Sequence, residues 1–79
     1  MKVLYFGRAR EAAGTQSETF TLPSSSSVGS LVSRSRGAHK GLESLHSSMR
    51  FAVNEEIAGE EAALRDGDVV AFLPPVAGG

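Results

Sequence analysis

The sequence predicts an α+β domain, one mixed sheet with helix packed on one face. Three observations carry that expectation. Short apolar stretches of period two recur at Lys2–Phe6, Glu18–Leu22, Arg50–Asn54 and Val69–Leu73. One apolar set at helical spacing, Val28, Leu31 and Val32, falls between the second and third of these stretches. The whole chain has 79 residues, enough for one thin core and no second.

The first strand, Lys2–Phe6, puts Val3 and Tyr5 on one face and Leu4 and Phe6 on the other. Both faces are apolar, so either both are covered or one meets a partner. Gly14-Thr15 breaks the chain, and Gly7 to Gln16 reads as a long, partly ordered connection. The second strand, Glu18–Leu22, sets Phe20 and Leu22 against Thr19 and Thr21, and Pro23 stops it. The serine run Ser24–Ser27 is a loop that offers N-caps, with Ser26 or Ser27 favoured.

The helix that follows should be short and weakly anchored, because its next inward position is the polar Ser35 and Gly37 comes soon after. Leu42, Leu45 and Met49 add a further helical turn or two to the same apolar lid. Arg50–Asn54 forms the third strand, with Phe51 and Val53 on one face, and Glu55-Glu56 forms a turn. Ile57 lies on or beside a short edge strand. Asp66-Gly67-Asp68 is a strong turn signal ahead of the last strand, Val69–Leu73. Val70 and Phe72 face one way there, and Val69, Ala71 and Leu73 the other. If first and last strands pair in parallel, the helical segment lies in the crossover between them.

Composition closes several routes. There is no cysteine, so disulfides, thiolate metal sites and a side-chain thiol nucleophile are excluded. His39 and His46 alone make a poor metal site, and no metal is expected. A formal net charge of −1 gives no pull on phosphate backbones, so nucleic acid is not an expected partner. No apolar run reaches the length of a membrane span, and the N-terminal segment lacks a signal-peptide pattern. The expected location is cytoplasmic. Glu55-Glu56, Glu60-Glu61, Arg8, Arg10 and Arg65 read as solvated charges.

The chemistry is at the end of the chain, Pro74-Pro75-Val76-Ala77-Gly78-Gly79. We expect residues 1–75 to form the domain and residues 76–79 a flexible tail. Glycine has no Cβ, so Gly78 and Gly79 can thread a narrow channel, while the two prolines hold the root extended. A carboxylate on Gly79 is ionised at neutral pH and is a poor electrophile. Activated by ATP, it could accept sulfur or an amine with no side-chain nucleophile.

Arg10-Glu11-Ala12-Ala13-Gly14 after the first strand, and above all the continuous stretch from Leu64-Arg65-Asp66-Gly67-Asp68 through Val69–Leu73 to Gly79, resemble the small subunit of molybdopterin synthase. That subunit is a sulfur carrier of the ubiquitin-like β-grasp fold. The resemblance runs end to end, and its specificity lies in the termini. The middle departs from the family: Ser33, Ser35 and His46 stand among the candidate apolar positions, and Ala12 where a leucine is common.

The resemblance implies that an adenylyltransferase related to the ubiquitin activators uses ATP to activate Gly79, and that a sulfur donor converts it to a thiocarboxylate. It implies docking on the large, catalytic synthase subunit in a heterotetramer, with Pro74, Pro75, Val76, Ala77 and Gly78 threaded into that subunit. Sulfur then passes to a cyclic pterin monophosphate to build the dithiolene. On this reading the chain is not an enzyme by itself and binds no cofactor. Leu4, Phe6 and Leu73, joined by Ile57, are expected to form the partner interface. A thiamine or tRNA-thiolation carrier, or a ubiquitin-like modifier or interaction module, is the alternative.

Overall fold

The computed structural model describes residues 1–23 and 25–74, without the side chains of His46 and Ser47. Strand β1 (Lys2–Tyr5) leads into helix α1 (Gly7–Ala13) and strand β2 (Ser17–Thr19). Helix α2 (Val28–Ala38) and a 3-10 helix (Lys40–Ser48) follow, then β3 (Arg50–Val53), β4 (Glu56–Ala58) and β5 (Val69–Leu73). The five strands form one sheet in the order β2-β1-β5-β3-β4. β1 and β5 pair in parallel, Lys2 with Val69 through Tyr5 with Phe72, and the other pairs are antiparallel. The α+β expectation and the parallel central pair both hold, with α2 in the crossover.

One face of the sheet is closed by helix. Val3, Tyr5, Phe51, Val70 and Phe72 point into a core that also holds Val28, Leu31, Val32 and Leu42. Phe72 is its aromatic centre, edge-on to Tyr5 with centroids 5.4 Å apart and to Phe51 at 5.3 Å. Ser27 is the N-cap of α2, its hydroxyl oxygen accepting from the Ser30 N–H at 3.2 Å. The next two donors of that helix end reach across the molecule. Val28 N–H donates to the Ala62 carbonyl at 2.9 Å and Gly29 N–H to the Glu60 carbonyl at 2.8 Å.

Several expectations need correcting. The stretch after Phe6 is no loose connection, because α1 occupies Gly7–Ala13. Its alanines, arginines and glutamate are strong helix formers, and Ala9 is fully buried. Gly14 ends it at φ 75°, donating its N–H to the Arg10 carbonyl at 2.9 Å. Ala12 has a reason to be small, since a Cβ built on Gly41 would lie 3.2 Å from the Ala12 Cβ. α1 and the 3-10 helix therefore approach at a distance a leucine would not allow.

The helix α2 is also better anchored than its sequence suggests. It runs for 11 residues, past Ser35 and through Gly37. Ser35 is fully buried but satisfied, 2.6 Å from the Tyr5 hydroxyl. The second apolar patch forms a 3-10 helix, with Leu42 and Met49 buried and Leu45 half-buried. β2 is shorter than expected, although Phe20 N–H still donates to the Met1 carbonyl at 2.9 Å beyond its end. The β3–β4 turn falls on Asn54-Glu55, one residue early, and Glu56 belongs to β4.

Candidate functional site

The sheet's other face carries no helix. Residues paired across a ladder share a face, so the register reads it directly. Leu4 on β1 lies beside Ala71 on β5, Ala71 opposite Ala52 on β3, and Ala52 opposite Ile57 on β4. These four make a row across the open face. Leu73, opposite Arg50, lies on the next row toward the C-terminal end of β5.

The structure brings the expected interface residues to this one face, in different environments. Phe6 is 47% exposed and Ile57 70%, the two large hydrophobic residues most open to solvent among the described residues. Leu4 and Leu73 are half-buried. Leu4 and Phe6 line a common hollow of about 540 Å3 with Ala52, Ala71 and Val69, and Asn54 and Glu55 close its other end. Ile57 and Leu73 flank that hollow without lining it. A larger depression of about 630 Å3, lined by polar groups from Arg10 to Ser17, lies at the α1–β2 turn. Its lining takes in no residue of β5 or the tail root.

The root of the tail is part of the fold. Pro74 is half-buried. It packs so near Gly7 that a Cβ there would lie 3.3 Å from the Pro74 ring, and Gly7 has φ +50°. Glycine is therefore suited to position 7 on two counts, conformation and space. Pro74, the last described residue, is thus held beside Gly7, the neighbour of Phe6. Pro75, Val76, Ala77, Gly78 and Gly79 lie outside the described residues, as does the expected boundary at 75/76.

The turn before β5 is held by a polar cluster. The Asp68 carboxylate accepts from the Arg65 N–H at 2.8 Å and from Asn54 Nδ2 at 3.0 Å. Those bonds, the Arg65 one first, hold its carboxyl below the ordinary range. Asn54 Oδ1 accepts in turn from the Val69 N–H at 3.0 Å. This fixes the start of the strand that ends at the tail, and it agrees with the turn-forming role expected of Asp68.

A second cluster escaped the sequence reading. The Nε2 of His39 is 2.6 Å from Glu18 Oε1, with both side chains largely covered. The Tyr5 hydroxyl donates to the same oxygen at 2.9 Å. A phenol has one proton, so the Ser35 hydroxyl must donate to Tyr5. Burial pushes the Tyr5 phenol above its ordinary range, so it stays neutral as a donor. Glu18, His39 and Ser35 are scattered in sequence, and only the packing of α2 on β1 and β2 joins them.

Among the described residues no group of three or more His, Asp or Glu could hold a metal, and no helix is long and apolar enough to cross a membrane. The ThiS family model matches residues 3–79. The chain belongs to the ThiS family. It is 40% identical over 81 residues to the molybdopterin synthase sulfur carrier subunit of Chlamydomonas reinhardtii, covering 100% of this chain and 98% of the relative. It is 40% identical over 80 residues to the protein of the same name from Mycobacterium tuberculosis, covering 100% and 96%. Among solved structures it is similar to SAMP1, a small archaeal modifier protein, from Haloferax volcanii. That match has a TM-score of 0.90 and 29% identity, covering 99% of this chain and 97% of the other. The ubiquitin-like β-grasp assignment of this ThiS-family chain stands on that likeness.

Proposed function

We propose that this chain is the sulfur-carrier subunit of a molybdopterin synthase and that Gly79 carries the sulfur. The observation that supports the reading most is the ThiS-family match running to Gly79 itself, past a β5 that ends at Leu73 on an open apolar face. A Gly79 carboxylate oxygen attacks the α-phosphorus of ATP on an adenylyltransferase, and pyrophosphate leaves. A sulfur donor supplies a hydrosulfide equivalent that displaces AMP and leaves a thiocarboxylate. The tail then enters the large subunit, where the sulfur bonds to a carbon of a cyclic pterin monophosphate and water cleaves the acyl–sulfur bond, returning Gly79 as a carboxylate. Two such deliveries complete the dithiolene.

In this scheme the chain holds no cofactor and performs no acid–base step. Its own contributions are the terminal carbonyl, a tail slim enough to thread, and Phe6, Leu4, Leu73 and Ile57 as the docking face. The large subunit, in a heterotetramer, supplies the rest. Likeness to a small archaeal modifier protein favours a second reading, attachment of Gly79 to lysines of other proteins. Protein from its native cell separates the two by intact mass. A carrier shows one oxygen replaced by sulfur at the C-terminus, and a modifier appears as a Gly79 adduct on lysine. Deleting Gly79 should abolish cofactor synthesis in cells lacking the native protein and leave the unfolding midpoint unchanged. Restored synthesis with that variant would overturn the mechanism.

A further inference from the structure

The open face carries a hollow where a flat apolar sheet would carry side chains. Its row across four strands reads Leu4, Ala71, Ala52, Ile57. Alanine is depleted in strands because it packs little on a pleated surface. Two alanines directly opposed on the central β5 and β3 forgo a cross-strand contact that larger residues would make. The result is the cavity of about 540 Å3 walled by Leu4, Phe6 and Val69. Its one lining charge is Glu55 at the rim, and the Asn54 amide is already taken up by Val69 and Asp68. The floor is made of the two alanines, and the polar lining residues, Asn54 and Glu55, stand together at one end. It is shaped for a hydrocarbon side chain.

The reach of the chain beyond Pro74 narrows whose side chain it is. Pro74 packs at Gly7, next to Phe6 in the hollow's wall. Five residues follow Pro74, and five extended residues span about 17 Å. A protein that takes Gly79 into a pocket must bring its surface within that reach of Phe6, so its pocket rim comes down beside the hollow.

We propose that the large synthase subunit seats one bulky apolar side chain, aromatic or long aliphatic, between Ala52 and Ala71 as the anchor of the complex. The inference rests on the sulfur-carrier reading. An aromatic anchor buries about 150–250 Å2, and one side chain in a desolvated central pocket can dominate an interface. Glycine-tail threading alone would leave the carrier free to swivel, and the anchor fixes its orientation while the tail reaches the reacting centre.

The test titrates the purified large subunit of the same organism with the full-length carrier and its variants by calorimetry. Ala71→Leu and, independently, Ala52→Leu fill the hollow and should each weaken binding at least about tenfold. Ala38→Leu adds the same volume on exposed α2 and should bind within about twofold of the unaltered chain. Urea midpoints establish that each variant is folded. If both filled variants are folded and bind within threefold of the native chain, the anchor is overturned. Phe6→Glu then separates the two levels. Binding lost with Phe6→Glu but kept in the filled variants leaves the docking face and removes the anchor. Binding kept in all three removes the face as well. If the filled variants bind the large subunit normally but are no longer adenylated, the occupant belongs to the activating enzyme and the proposal fails.

Discussion

The two faces of the sheet are built from the same strands and obey opposite rules. On the covered face stand Val3, Tyr5, Phe51, Val70 and Phe72, large and packed edge to face under α2. On the open face stand Leu4, Ala52, Ala71 and Ile57, the middle two too small to meet. Alternation along a strand assigns a residue to a face but says nothing about which face will be covered. The difference in side-chain volume does: the covered face is filled to contact, and the open face is left hollow. Apolar character thus serves stability on one side and, on the docking proposal, is held in reserve for a partner on the other.

The largest effect should come from breaking the covered face at its centre. Phe72 is fully buried and touches both Tyr5 and Phe51. Phe72→Ala should cost about 3–5 kcal/mol in urea unfolding, enough to unfold much of so small a domain. The open-face counterpart, Ile57→Ser, should change stability by less than about 0.5 kcal/mol. Comparable losses at the two positions would mean that both faces are structural.

A smaller effect tests the one polar intrusion into the covered face. Tyr5→Phe removes the acceptor of the buried Ser35 hydroxyl and a donor to Glu18, and should cost about 1–3 kcal/mol. Adding Ser35→Ala removes both partners of the buried bond. The double variant should therefore be less destabilised than the sum of the singles. Strict additivity in chemical denaturation would show that the pair is not coupled.

These clusters mark what could and could not be read from the sequence. The four main strands, their inward residues and a cap at Ser26 or Ser27 were legible because each is local: period two, period 3.6, a serine before an apolar run. The parallel β1–β5 pair was legible as an option, since a long helical crossover permits it. α1 was missed although Arg8–Ala13 has high helix propensity and Gly14 closes it, because Ala9 is the one fully buried residue on its face and supplies no stripe. The contacts of Ser35 and His39 were not legible because their partners, Tyr5 and Glu18, are 30 and 21 residues away. That Leu4, Phe6 and Leu73 share a face was legible from alternation, while the hollow was not, because Ala52 and Ala71 mean nothing until the ladder sets them opposite each other.

The turn before β5 belongs to neither face and allows a pH test. Hydrogen bonds from Arg65 N–H and Asn54 hold the Asp68 carboxyl below its ordinary value. A depressed folded-state pKa stabilises the fold above the unfolded value of about 3.9, and that contribution is lost as pH falls through the folded value. Asp68→Asn should therefore lower the urea midpoint at neutral pH, with the gap to the native chain closing below about pH 4. The bonds lie exposed at the turn, so the gap should be modest. A gap that stays constant to low pH would assign the loss to turn geometry instead of charge.

The smallest expected effect is a gain, at the other end of the hollow. Asn54 and Glu55 both have positive φ, at 50° and 74°. That is the backbone of the two-residue hairpin turn for which Asn-Gly is the preferred pair. Asn tolerates it, whereas Glu, with a Cβ crowding the carbonyl, does not. Glu55→Gly should stabilise the chain by about 0.5–1 kcal/mol, the relief of strain less the entropy of a freer unfolded glycine. It also removes the one charge that lines the hollow. Stability and docking then give separate readings. A higher urea midpoint with unchanged affinity for the large subunit makes Glu55 a strained turn residue only. Altered affinity beside the same gain in stability would mean that the strain is kept because the carboxylate at the rim meets the partner, which would extend the reserve on the open face from its apolar floor to its edge.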